Sequence, residues 1–167
     1  MRINKNIILK GKIIFDPENR TRKHNRQSDW KRVAIVAFEG DMNHYYAWFV
    51  QRRYGIELNS THIRGSHVTF INDAIREISG GDVNWDLVRE RWDGKEISIN
   101  LNPDVRTNGK YWWLSAKSRS FDKIRKELGM GKPYFDYHMT IGSANERNID
   151  QSRYIHKLIE EFGIDYN

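Results

Sequence analysis

Two tetrapeptides of one kind, His67-Val68-Thr69-Phe70 and His138-Met139-Thr140-Ile141, close two stretches of chain that repeat the same pattern of elements. This repetition constrains the fold more than any other feature. Each tetrad reads His, apolar, Thr, apolar. The chain has six histidines and 38% apolar residues, so random placement yields far less than one such tetrad, and here two stand at equivalent places.

The first unit opens on a β-like run, Arg32 to Phe38, followed by Asp41 as N-cap of a helix from Met42 or Asn43. Tyr45, Trp48, Phe49 and Arg52 recur there at i, i+3, i+4 and i+7, and Gly55 ends the helix. The strand Ser66 to Ile71 completes it. In the second unit Tyr111 to Ala116 is the strand, and Ser118 or Ser120 caps a helix with Phe121, Ile124, Arg125 and Leu128, ended by Gly129. The return strand is Asp136 to Gly142. Between the units, Asn72 to Ile78 predicts a short helix and Trp85 to Val88 is ambiguous. Lys95 to Leu101 alternates as a strand, and Asn102-Pro103-Asp104 to Asn108-Gly109 supplies turn chemistry for a hairpin with Lys110 to Lys117. A last amphipathic helix spans about Asp150 to Phe162 with Tyr154, Leu158 and Phe162, beside Ile155 and Ile159. At the start, Ile7-Ile8-Leu9 and Ile13-Ile14-Phe15 are strand-like, and the polar run Glu18 to Asp29 has no period and reads as a basic loop. The fold class expected is α/β or α+β, one domain over 1–167. Its parts are strands and basic loop at 1–30, a first lobe at 31–80, a second at 95–142 and a helix at 150–162.

Side chains alternate along a strand, so His67, Thr69 and Ile71 share one face and Val68 and Phe70 the other; His138 and Thr140 likewise oppose Met139 and Ile141. The apolar face can pack on the unit's helix. A pseudo-twofold axis between two such units would line one cleft with two His and two Thr. That set suits phosphodiester cleavage. One imidazole takes a proton from the attacking oxygen, the other protonates the leaving oxygen, and the hydroxyls donate to the phosphate oxygens. No carboxylate stands near either tetrad at metal-ligand spacing, so no catalytic metal is expected. A zinc pair and two merely structural histidines are the competing readings. Parity on the 111–117 strand puts Trp112, Leu114 and Ala116 on the helix side. Tyr111, Trp113, Ser115 and Lys117 then face the cleft, with Trp113 placed to stack on a base or to sit in a peripheral apolar cluster. Arg64, just before the first tetrad, is a candidate phosphate contact or a surface residue. His24, His44, His62 and His156 have no comparable setting and read as structural or exposed, His156 as solvent-facing.

The absence of cysteine excludes a disulfide scaffold, a thiolate nucleophile and a Cys-based zinc site. Val33 to Phe38, the longest uncharged apolar run, is far short of the ~20 residues of a membrane span, and no apolar signal segment opens the chain. The expectation is a soluble, intracellular protein with no membrane partner. The net charge of +6 suits an anionic partner, and equally mere solubility.

With both tetrads in view, the second extended as His138-Met139-Thr140-Ile141-Gly142, the chain from about Lys31 to Gly142 resembles the 2H phosphoesterase superfamily. The resemblance implies a bilobal α/β fold, metal-independent action without cofactor, and catalysis by His67, Thr69, His138 and Thr140. Its compact size, basic N-terminal segment and aromatic richness are most similar to the phage anti-CBASS nucleases. That branch implies cleavage of 3′–5′ bonds in cyclic di- and trinucleotide messengers, with a ribose 2′-hydroxyl attacking, in a host cytoplasm. It also implies an accessory acid near the C-terminus, for which Glu160 and Glu161 are candidates by position. The alternatives are an RNA 2′,3′-cyclic or 2′–5′ phosphodiesterase of the same superfamily and a nucleotide-binding module without turnover.

Overall fold

The computed structural model describes residues 6–17, 31–60 and 65–163. The run 18–29, Arg64, His24 and His62 lie outside the described residues. In chain order the elements are β1 (Ile7–Phe15), β2 (Lys31–Ala37), α1 (Met42–Tyr54), β3 (Leu58–Asn59), β4 (His67–Ala74), a 3₁₀ turn (Ile75–Glu77), α2 (Gly81–Trp92), β5 (Glu96–Thr107), β6 (Tyr111–Lys117), α3 (Arg119–Glu127), β7 (His138–Ala144) and α4 (Ile149–Phe162). The fold is therefore α+β, with a seven-stranded antiparallel sheet and four α-helices among the described residues. None of the described helices is long and apolar enough to cross a membrane.

The strand order is β3-β7-β6-β5-β1-β2-β4. Leaving aside the two-residue β3, it has the same form from either end: a strand opening on histidine, its hairpin-side partner, then the first strand of that half. The halves meet where β1 pairs antiparallel with β5, as a local twofold axis requires. Although β4 and β7 stand at opposite ends of this order, their Cα atoms come within 8 Å. The sheet is curled until the two tetrads lie on neighbouring strands.

Both strands carry the same irregularity. On β4 the partners run Ala37–His67, Val36–Val68, Ile35–Thr69 and then Ala34–Ile71, so Phe70 is skipped. On β7 they run Ser115–His138, Leu114–Met139, Trp113–Thr140 and then Trp112–Gly142, so Ile141 is skipped. Each skip is a bulge three residues after the histidine. It preserves the expected parity of His, apolar, Thr and turns the next residue, Ile71 or Gly142, into the core, where both are buried.

Helices cover one face. Phe70 stacks on Phe121 of α3 at 4.8 Å, Phe15 packs on Trp85 of α2 at 4.8 Å, and Trp112 meets Tyr54 of α1 at 5.3 Å and donates its indole N–H to Ser152 Oγ of α4. Each motif strand packs on the other half's helix: α1, which follows β2, lies against β7, and α3, which follows β6, lies against β4. The expectation that a strand packs on its own unit's helix is corrected here. With the sheet curled, the helix leaving one half lands over the adjoining strand of the other. One continuous core results, so the halves are not separate domains. Each buried Phe in it contributes roughly 2–3 kcal/mol by area.

Other local expectations shift for related reasons. β1 is one strand rather than two, with Gly11 buried opposite Ile97, and it sits at the centre of the sheet between β2 and β5. β5 runs through Pro103 to Thr107. Asn102-Pro103-Asp104 forms an irregularity within it, where proline is tolerated, and only Asn108-Gly109 makes the turn. The expected helix after Ile71 is instead the end of β4 and a 3₁₀ turn, and the ambiguous Trp85–Val88 lies within α2. On α1 the buried side chains are Asn43, Tyr46 and Val50, while Tyr45 and Trp48 are exposed. Asp41 does not cap α1 with its side chain but pairs with His44; Ser118 does cap α3, accepting from the Ser120 N–H at 3.3 Å. On α4, Tyr154 and Phe162 are exposed and Ser152 is buried, a rotation of the expected stripe.

Candidate functional site

His67 and His138 are each the first residue of their strand, and each ring is held the same way. His67 Nδ1 donates to the Gly65 carbonyl at 2.9 Å and His138 Nδ1 to the Asp136 carbonyl at 2.7 Å, in both cases the residue two before. A carbonyl only accepts, so the proton of the neutral ring sits on Nδ1. Nε2 is then the basic nitrogen in each imidazole and the acidic one in each imidazolium. Two rings with one tautomer and equivalent anchoring are what a proton-accepting and a proton-donating partner need. Both histidines are half-buried on one face of their strands, the more open one, as are Thr69 and Thr140 two residues further on. Val68, Phe70, Met139 and Ile141 fill the opposite face and are buried.

The open face continues across the sheet. Thr140 pairs with Trp113 and Trp113 with Arg106; in the other half Thr69 pairs with Ile35 and Ile35 with Ile14. His67 pairs with Ala37, and Ala37 with Lys12. The Trp113 ring centroid lies 6.1 Å from that of His138. As parity predicts, Trp112, Leu114 and Ala116 are buried and Trp113 and Ser115 are half-buried. Lys117 is exposed, two positions from Ser115, which pairs with His138. Tyr111 pairs with Ser143 four positions from Ser115, about 13 Å along the strand, and its ring is under Lys110 Nζ at 5.4 Å, so it lies away from His138. Sequence reasoning missed Arg106 and Lys12. Arg106 lies beyond Leu101, where the alternating pattern of that strand stops; Lys12 lies between two strand-like triplets whose place in the sheet the sequence does not indicate.

Glu160 and Glu161 are exposed on α4, which packs on the helix-covered side through Ser152, and Glu160 pairs with His156 at 3.5 Å. The His156 side chain is only 26% exposed, so it is not the solvent-facing residue expected. His44 is exposed beside Asp41. Among the described residues no group of three His, Asp or Glu side chains is placed to hold a metal ion. Behind the site, Arg125 is buried. Its guanidinium reaches Asp73 at 2.8 Å, the Phe70 carbonyl skipped by the ladder at 3.1 Å, and the Gly131 carbonyl at 2.9 Å. It thus ties α3 to the β4 bulge and to the loop that leads into β7.

No family model, curated protein or solved structure matches the chain.

Proposed function

We propose that the chain is a metal-independent phosphodiesterase with the bilobal 2H fold, acting on cyclic oligonucleotides. What supports this most is the curl of the sheet, which sets two His-x-Thr strands side by side with both rings held in the same tautomer. A bound 3′–5′ phosphodiester would lie between the two rings. The ribose 2′-hydroxyl gives its proton to one Nε2 and bonds to phosphorus. The P–O5′ bond breaks and O5′ takes the proton of the other Nε2, leaving a 2′,3′-cyclic phosphate and a 5′-hydroxyl. General acid and base together supply about 10²–10⁴ in rate. Thr69 and Thr140 donate to the non-bridging oxygens as charge gathers there. Trp113 stacks a base on the His138 side, with Arg106 and Lys12 attracting the phosphates. Lys117 extends that cationic rim, and in a host cell such turnover would remove a cyclic messenger of antiphage signalling.

The test is product analysis after incubation with cyclic di- and trinucleotides, 2′–5′ oligoadenylate and 2′,3′-cyclic nucleotides in EDTA. Linear products from the cyclic substrates alone are expected. Turnover restricted to the linear or 2′,3′-cyclic substrates replaces this reading with an RNA-processing one, and binding without products replaces it with a binding module.

A further inference from the structure

We propose that Asn43, in the first turn of α1, is a positioning residue for His67. Asn43 is 4% exposed. Its Nδ2 donates to the Gly65 carbonyl at 3.3 Å, the same oxygen that receives His67 Nδ1 at 2.9 Å. Its backbone N–H donates to Ser66 Oγ at 3.2 Å, and Ser66, 2% exposed, accepts the Phe38 N–H on its carbonyl at 3.0 Å. The two residues before His67 are therefore gripped from one side chain and one backbone position of α1. Gly65 has φ +69°, a conformation that favours glycine, so the turn depends on such outside fixings to stay aimed.

The direction of the amide follows from its neighbour: turned over, the Asn43 oxygen would face the Gly65 oxygen. As placed, that oxygen has no hydrogen-bond partner among the described residues. A buried polar atom left so is a cost, and the bonds to Gly65 and Ser66 are what the residue returns for it. The rest of α1 packs on β7, the strand that begins with His138. Asn43 thus couples the turn holding one ring to the strand carrying the other. The second half is held differently: among the described residues only His138 donates to the Asp136 carbonyl, and the residue before His138 is fixed instead by its Tyr137 hydroxyl on Asp122 of α3 at 3.0 Å. The catalytic consequence rests on the phosphodiesterase reading; the effect on the ring does not.

The experiment reads both. Nitrogen-15 NMR at alkaline pH, where imidazoles are neutral, reports the protonated nitrogen of each histidine in the wild-type chain, Asn43→Ala and Asn43→Asp. Asn43→Asp keeps the shape and the Ser66 contact but loses the donor. Expected is a His67 signal of pure Nδ1–H form in wild type and a mixture with the Nε2–H form in both variants, with His138 unmoved as internal reference. On whichever phosphodiester the wild-type chain cleaves, kcat should fall about tenfold with KM held within about twofold. A His67 ring that stays wholly Nδ1–H in a folded variant overturns the proposal. So does the absence, in wild type, of a nuclear Overhauser effect between the Asn43 amide protons and the His67 ring, which needs no variant to fold. If no substrate is turned over, the ring signals still decide the point while the phosphodiesterase reading falls.

Discussion

β4 and β7 carry the same tetrad, begin at their histidine and skip a ladder partner at the same place, yet they are held by different means. The β4 bulge lies on an edge strand, and its skipped carbonyl is taken by buried Arg125. The β7 bulge is followed by Gly142, against which β3 runs: a Cβ there would sit 2.7 Å from the Asn59 carbonyl oxygen. The His67 turn is gripped by α1, whereas the His138 anchor has no second donor among the described residues. On the open face, Ile35 and Ile14 stand where the other half has Trp113 and Arg106. What agrees between the halves concerns the tetrads themselves; what differs is support and the surface beside them. On the proposed function, the likeness falls where proton transfer would need two like rings, and the difference where one side would only have to be held and the other to receive a base.

The largest effect expected is therefore symmetric. His67→Ala and His138→Ala should each reduce kcat at least ~10²-fold, with ligand affinity measured by calorimetry largely retained. A single variant with wild-type turnover would remove that half from the chemistry. Next, support should prove unequal. Arg125→Met leaves Asp73 and the Phe70 carbonyl without their buried partner and should cost about 3 kcal/mol in urea unfolding. Gly142→Ala, which forces β3 off β7, should cost about 1–3 kcal/mol. Equal losses would mean that the two bulges are braced alike.

The open-face difference gives the third comparison. Trp113→Ala should raise KM about tenfold with kcat nearly kept, as loss of one base–aromatic stack of ~1–3 kcal/mol requires. Ile35→Ala, at the matching position, is 1% exposed and should instead destabilise the fold by about 2–4 kcal/mol without moving KM. A Trp113 variant that changes stability but not KM would return Trp113 to the core. Smaller again, Thr69→Ala and Thr140→Ala should each lower kcat by about tenfold, each being one donor among several.

The tetrads, the parity of β6 and the Ser118 cap were legible because each depends on residues close in sequence: alternation, a hydroxyl before a helix, His and Thr two apart. The covering of β4 by α3 was not, since Phe121 and Phe70 are far apart in sequence and nothing local says which half a helix leans on. The same exchange explains α1. Tyr45, Trp48 and Phe49 look like its buried stripe, but its partner is β7, and the face presented there is Asn43, Tyr46 and Val50. Neither bulge shows in the sequence, because skipping a residue changes pairing without changing composition. Arg125 shows in the sequence only as a member of the α3 stripe, and Asn43 not at all, for another reason: both act on backbone carbonyls of distant segments, and a carbonyl has no residue type.

Two tyrosines provide the finest comparison. Tyr137 on the β7 side and Tyr46 on α1 both have pKa values raised, in each case first by burial. Tyr137 adds a hydrogen bond from its hydroxyl to Asp122 at 3.0 Å, which favours the protonated form further. A raised folded-state pKa means that above the ordinary tyrosine value near 10 the unfolded chain has released a proton that the folded chain still holds. Stability from either group is then complete below about pH 10 and falls as pH rises beyond it. Tyr137→Phe should cost about 1 kcal/mol at pH 7, from the lost hydrogen bond, and that deficit should shrink above pH 10 as wild type loses its proton-linked share. Tyr46→Phe should match wild type at pH 7, having no side-chain hydrogen bond to a carboxylate to lose, and should become the more stable of the two above pH 10, where only wild type loses its proton-linked share. Urea unfolding at pH 7, 9, 10 and 11 measures both. Parallel curves for Tyr137→Phe and wild type across that range would mean that the hydroxyl is as easily ionised in the folded chain as outside it, and the packing of Tyr137 on Phe121 beside His138 would then be looser than its 4.9 Å ring contact indicates.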